Sequence, residues 1–477
     1  MRGPKGPSRV LRPRAQVAVP LVFVLLLTGH GAQAAYPQAA DTTLSQLVAF
    51  ALESPQLPVM AAGLLDTIGG RLSGTPTGTR AEAWAAGWLR SFGLDSVWYE
   101  IVRIPVWRRG ETSVRVLQPG ALRHRRIVAA AYGYSPGISV DSVPLVDAGR
   151  GDPQVIEALG PQARGAALLT DGVVTSGLIA AAVQAGALAI LRISFEPGRL
   201  PQARVAPVAE PPAPLPLLAV AREDGLWLRR QLAAGPLSLG LRVVTETRPG
   251  VVANVVGEWR GRDPDVAEDV FLVGAHLDAW DLGDGAVDNG TGVLAVMTAV
   301  GALARAEQRP RRTVRVVLFA AEELGLWGSR DYVRTHAPAL PNLVAMMNLD
   351  MVGAPQAYGA TGHAEADTLF ARLALQPQLR DLGMVTEVNH GGGPGSDHQP
   401  FLLAGVPTIY VQSSLPPETP RWYHNAADTF DKIDLEAVRG VAAAVAAAAW
   451  ALADHPGRPL RHLTPEETRA LIQRLGW

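Results

Sequence analysis

From about residue 252 onward, short apolar runs alternate with helix-length segments, and the runs that read as strands are followed by side chains able to bind metals. Segments 270–275, 314–319, 343–349 and 406–411 have strand character, while 292–304, 326–335 and 435–453 have helix character. This alternation predicts an α/β fold with a mostly parallel sheet flanked by helices, because parallel neighbours need long crossovers that cover both faces. Ligands bind such sheets beyond the carboxyl ends of the strands. At those ends the sequence carries His276 and Asp278, then Asp288 in a glycine-rich loop, Glu322 and Glu323, Asp350, and finally Tyr423 and His424.

Taken singly, each of these residues has a plain structural role. A histidine after a strand is usually a core or surface residue, an aspartate in a glycine-rich loop usually forms a turn, and glutamates at a helix start favour the helix dipole. Their joint occurrence at successive strand ends is much harder to obtain by chance. Two imidazoles with several carboxylates suit zinc or another borderline divalent ion. Two such ions held side by side polarise a scissile carbonyl and stabilise the developing oxyanion, which requires one carboxylate able to bridge them. Asp288 lies where glycines let the backbone bend. Adjacent Glu322 and Glu323 point apart, so one can bind metal while the other accepts a proton from water.

Other chemistries are excluded. The 477-residue chain has no cysteine, which rules out thiol catalysis and disulfides, and it lacks His-Glu-x-x-His, phosphate-loop and Gly-x-Ser-x-Gly motifs. A formal net charge of −1 without a basic run argues against a nucleic-acid partner.

The length favours more than one domain. Residues 1–34 read as a signal peptide: Arg2, Lys5, Arg9, Arg12 and Arg14 precede an apolar stretch at 17–27 and the small-x-small site Ala32-Gln33-Ala34. The expected mature chain begins near Ala35, is exported to the periplasm or outside the cell, and keeps no stable membrane span. Alanine-rich 435–453 falls short of a typical span and reads as a helix packed on the sheet. Residues 35–118 form the N-terminal part of the catalytic domain, with helices at 43–65 and 80–92 around a turn-rich segment at 68–76. Residues 119–248, with strands at 166–170 and 187–193 and a proline-rich stretch at 196–216, read as an inserted, smaller, strand-rich domain. Residues 249–477 form the catalytic domain.

Across 251–434 the motifs resemble the zinc aminopeptidase family with co-catalytic metals, and especially its plasma glutamate carboxypeptidase-like branch. Ile68-Gly-Gly-Arg-Leu-Ser-Gly-Thr-Pro and Val106-Trp-Arg-Arg-Gly resemble that branch's lead-in, and the insertion resembles a protease-associated domain. The resemblance implies two divalent metal ions, with zinc the default. His276 and Asp350 would hold one, Glu323 and His424 the other, and Asp288 would bridge them. It further implies Glu322 as general base, Asp278 as the carboxylate orienting the His276 imidazole, and Ser396, Asp397 and Tyr423 beside the substrate. The expected activity is removal of residues at the ends of peptides, as an aminopeptidase or dipeptidase. A carboxypeptidase, a glutaminyl cyclase-like transferase and a non-catalytic receptor-like binding protein are the alternatives on the same fold. Peptide is the expected partner, and a homodimer is compatible with the sequence.

Overall fold

In the computed structural model, which describes Gly3 and residues 38–123 and 125–477, a mixed sheet runs through residues 38–477, which form one compact unit. The leader at 1–34 lies outside the described residues apart from Gly3. The strands are β1 (Ser96–Gln118), β2 (Arg126–Ile127), β3 (Ala129–Ala131), β4 (Ile138–Asp147), β5 (Ala167–Thr170), β6 (Ala189–Ile193), β7 (Leu217–Val220), β8 (Leu237–Trp259), β9 (Val270–His276), β10 (Thr313–Phe319), β11 (Leu343–Asn348), β12 (Ala354–Ala360) and β13 (Thr408–Ser414). Their order is β12-β13-β11-β9-β10-β8-β4-β5-β6-β7-β3.

The middle of the catalytic half is parallel as the alternation predicts: β10 pairs with β9, β9 with β11 and β11 with β13. Both flanks are antiparallel, β12 against β13 and β8 against β10. Every residue of β9 and β11 is buried, in keeping with helices on both faces.

The sequence reading did not anticipate the ribbon formed by β1 and β8, 23 residues each and paired from Ser96↔Glu258 to Gln118↔Ser238. At about 3.3 Å per residue a strand of that length spans on the order of 75 Å. Its two ends therefore serve different neighbours: Leu237–Val243 pairs with β4, and Val255–Trp259 pairs with β10. Segment 119–248 contributes β2 to β7, with β4-β5-β6-β7 parallel and β3 antiparallel at the edge.

Helix Leu435–Ala453 occupies the expected residues, its alanines letting it pack closely against helices Gln38–Leu52 and Thr291–Leu303. Among the described residues, two segments, Ala286–Leu303 and Leu435–Ala453, are long and apolar enough to cross a membrane, yet 94% and 78% of those segments is buried inside the protein. The helix expected over 43–65 is broken, because Pro55 lacks the N–H that continuation requires; it resumes as Gln56–Ala61 and ends in a wider turn, Ala62–Ile68. The next helix, Pro76–Ser91, starts where Thr75 Oγ1 accepts from Gly78 N at 3.1 Å and Pro76 occupies the first turn.

Candidate active site

The parallel strands bring the chemistry to one edge. His276 is the last residue of β9 and lies opposite Phe319, the last of β10, so the turn carrying Glu322 and Glu323 begins beside it. Asp350 follows β11 by two residues, and His424 follows the short helix Thr419–Trp422 beyond β13. Asp288 sits in the kinked turn Ala286–Gly290, and its peptide bond to Asn289 is cis.

Asp288 is shared between two imidazoles. Its Oδ1 lies 3.2 Å from His276 Nε2, and its Oδ2 lies 2.9 Å from His424 Nε2. Asp350 Oδ1 completes the first group at 3.4 Å from His276 Nε2, and Glu323 Oε2 the second at 3.1 Å from His424 Nε2. Within each trio the candidate ligand atoms lie within 4.8 Å of one another. Glu322 belongs to neither group.

The imidazoles are held in a ligand-ready orientation. His276 Nδ1 lies 3.0 Å from the main-chain carbonyl of Asp278, and His424 Nδ1 lies 3.2 Å from that of Ala203. A carbonyl only accepts, so each Nδ1 carries the proton and each Nε2 faces the carboxylates. The carboxylate that the resemblance assigns to orienting His276 is farther away, at 3.8 Å; its Oδ1 accepts from Glu322 N at 3.1 Å. Asp278 thus aligns His276 chiefly through its main chain and Glu322 through its side chain. The His424 ring packs between Tyr423, centroids 3.6 Å apart, and Trp280, 5.9 Å away.

The loops themselves are laced together. Asp428 accepts from the main-chain N–H groups of Val287 and Asp288 at 2.7 and 3.1 Å. Asn289 donates to Leu349 O at 2.9 Å and accepts from Met351 N at 3.0 Å, tying the Asp288 loop to the Asp350 loop. It is fully buried. Arg71, from the turn-rich lead-in, donates to the carbonyls of Leu277, Asp284 and Gly285 at 2.6, 2.8 and 2.9 Å. Gly285 has φ +61°, and a Cβ there would meet the Ala279 methyl at 2.2 Å. Ala321, Leu326, Met351 and His424 adopt positive φ without being glycine, local strain of about 1–3 kcal/mol each that clusters at this edge.

The electrostatics favour cations. Burial raises the Glu322 pKa well above the carboxylate range, and it pushes Glu323 up to about 7. Burial opposes a charged His424, yet the carboxylates of Glu323 and Asp288 outweigh it and lift its pKa to about 10. His276 is likewise raised well above its usual value, by Asp350 and Glu322 against the effect of burial. Protons gather where positive charge is short. Glu323 Oε1 is buried without a hydrogen-bond partner. Two oxygen-and-imidazole trios sharing one carboxylate, with Nε2 atoms and an unsatisfied oxygen turned inward, fit two zinc-like ions.

The site opens into a cleft of about 380 Å³, lined by His276, Asp288, Glu322, Glu323, Asp350, Tyr423 and His424. Ser396 accepts from Asn348 Nδ2 at 2.8 Å and lines an adjoining cavity, while Asp397 is fully buried and its carboxyl is pushed up to about 7 by that burial. His390 and His398 join neither metal-type group. Sequence reasoning missed the contributions of 119–248 to this site. Ala203 N donates to His424 O at 2.7 Å, and Gln202 Nε2 donates to Tyr423 O at 3.2 Å, so the proline-rich stretch holds the loop that presents His424.

Residues 254–449 match the model of peptidase family M28. The chain is 28% identical to carboxypeptidase Q of Homo sapiens over 417 residues, 84% of this chain and 85% of that protein. It is 31% identical to leupeptin-inactivating enzyme 1 of Streptomyces exfoliatus over 218 residues, 42% and 48% of the two chains. The crystal structure of a peptidase M28 precursor from Shewanella amazonensis SB2B aligns with TM-score 0.76 and 27% identity, covering 90% of this chain and 99% of that one. A zinc aminopeptidase from Bacillus subtilis shares the fold, with TM-score 0.67, 21% identity and coverage of 88% and 98%.

Proposed function

We propose that the chain is a metal-dependent exopeptidase of peptidase family M28 and that it works with two zinc ions as an exported aminopeptidase or dipeptidase. The observation that carries this reading is the division of Asp288 between the two imidazoles, at 3.2 and 2.9 Å. His276 and Asp350 would hold one ion, His424 and Glu323 the other, and Asp288 both. When bound, such ions polarise the scissile carbonyl and stabilise the negative charge that develops on its oxygen.

The side chains supply the rest. Glu322 stands outside both ligand groups yet lines the same cleft, which suits it to take a proton from the attacking water and deliver it to the leaving amine. Asp278 fixes the main chain of Glu322 and the ring of His276 together. Trp280 and Tyr423 pack on the His424 ring and keep it aligned. We assign 119–248 as an inserted protease-associated-type domain that covers the cleft, and 1–34 as the export signal.

A carboxypeptidase is the second reading, favoured by the similarity to carboxypeptidase Q. A dipeptide panel with acetylated amino ends or amidated carboxyl ends separates the two. The aminopeptidase reading expects acetylation to abolish cleavage, and chelation to abolish it until zinc is restored. Undiminished cleavage of acetylated substrates, or activity that survives exhaustive chelation, contradicts it.

A further inference from the structure

The cleft that holds the acidic cluster has a second, oppositely charged lining. Arg192, Arg204, Tyr132 and Phe195, all from 119–248, face the same space. Arg192 is the anomaly. It sits in β6, where every residue is buried, and is itself 1% exposed. Strands buried on both faces are ordinarily apolar throughout, and a guanidinium taken out of water is costly unless it is paired.

Among the described residues no carboxylate pairs with Arg192, whose polar neighbour is the Tyr132 hydroxyl. Its Nε and Nη1 are buried without an acceptor, as are Arg204 Nε and the Tyr132 hydroxyl. Its guanidinium lies 3.7 Å from the centroid of the Phe195 ring, which fixes its plane without satisfying its donors. Among the described residues Arg204 reaches Gln202 Oε1, at 3.4 Å, and the face of Tyr423, at 5.9 Å. Burial lowers the Arg192 pKa, Tyr132 offsets part of this, and the charge of Arg204 adds to it. The nearby Asp171 pairs with Arg229 through Oδ2 at 2.7 Å, and its Oδ1 makes no hydrogen bond to Arg192. Buried donors left unmet in a cleft point to a ligand that meets them.

We propose that Arg192, with Arg204 and the Tyr132 hydroxyl, anchors a carboxylate of the peptide substrate at the end of the cleft formed by 119–248. This rests on the exopeptidase reading and sharpens it to short peptides that carry a carboxylate close to the scissile bond. The size agrees: about 380 Å³ is near the lower end of small-ligand sites, and an extended residue spans only about 3.5 Å. The carboxylate has two chemical sources, the free end of a dipeptide or an acidic side chain.

Titration calorimetry on the full chain carrying Glu322→Gln reads binding without turnover. Ala-Ala is compared with Ala-Ala amide, and Ala-Glu amide with Ala-Gln amide. Charge-assisted hydrogen bonds lead to a preference of about tenfold or more for the carboxylate member of one pair. Preference within the first pair assigns the chain end, and within the second the side chain. Adding Arg192→Met should bring the Kd ratio close to one, while Arg192→Lys keeps part of it. Arg204→Met should reduce the same ratio, which preserves the test should Arg192→Met fail to fold. Ratios near one for both pairs before any arginine is changed, or a preference untouched by Arg192→Met and Arg204→Met, overturn the anchor. A wild-type chain that prefers the carboxylate yet cleaves no peptide would keep the anchor and remove the exopeptidase reading.

Discussion

Asp288 and Asp278 are chemically identical side chains ten residues apart, and their surroundings give them different work. Asp288 presents one oxygen to each imidazole, whereas Asp278 Oδ1 accepts from a main-chain N–H. Removing Asp288 would weaken both proposed ions, while removing Asp278 would only loosen the setting of one ring and one glutamate. Asp288→Ala should therefore emerge from dialysis with most of its zinc lost, and Asp278→Ala should keep more, as measured by elemental analysis. Retention of two zinc ions per chain by Asp288→Ala would remove the bridge. The metal-type residues were legible in the sequence because they lie at the end of, or in the loops beyond, apolar runs that end at the same edge. Arg71 was not legible, since its acceptors are main-chain carbonyls more than 200 positions away, which leave no side-chain signature.

At the scale of elements, the strands and helices that carry the site follow from local apolar patterning, and helix Leu435–Ala453 matches the expected span because nothing within it interrupts the pattern. The β1 and β8 ribbon was not legible. Pairing Ser96 with Glu258 is a long-range choice, and along β8 the burial changes from alternating to continuous as the partners change. The lead-in at 68–76 read as a turn, yet it acts as a brace: Arg71 holds the loop before Asp288, and Ser73 Oγ accepts from Ala321 N at 2.8 Å beside Glu322. Arg71→Met leaves several carbonyls without their charged donor. It should lower unfolding stability by at least about 3 kcal/mol and reduce zinc retention. A denaturation midpoint and zinc content equal to wild type would show that the brace is dispensable.

For the whole molecule, β8 pairs with neighbours in both the catalytic half and 119–248, so the two parts share one strand and one continuous sheet. Metal bound only by the native chain adds stability as RT ln(1 + [L]/Kd), about 2.7 kcal/mol at one hundred times Kd. Chelation should thus lower the calorimetric Tm by several degrees, and an unchanged Tm would mean that no ion is held by the fold. Export is tested separately by amino-terminal sequencing of the secreted chain, expected to begin near Ala35; a chain retaining residues 17–27 and sedimenting with membranes would contradict it. The central claim is that Glu322 moves the proton at a site whose ions it does not hold, and Glu322→Gln tests it most directly, since size is kept and basicity removed. General acid–base catalysis contributes roughly 10²–10⁴-fold, so kcat should fall by about that factor while elemental analysis still finds the wild-type zinc content. Wild-type turnover at full zinc occupancy would contradict the account.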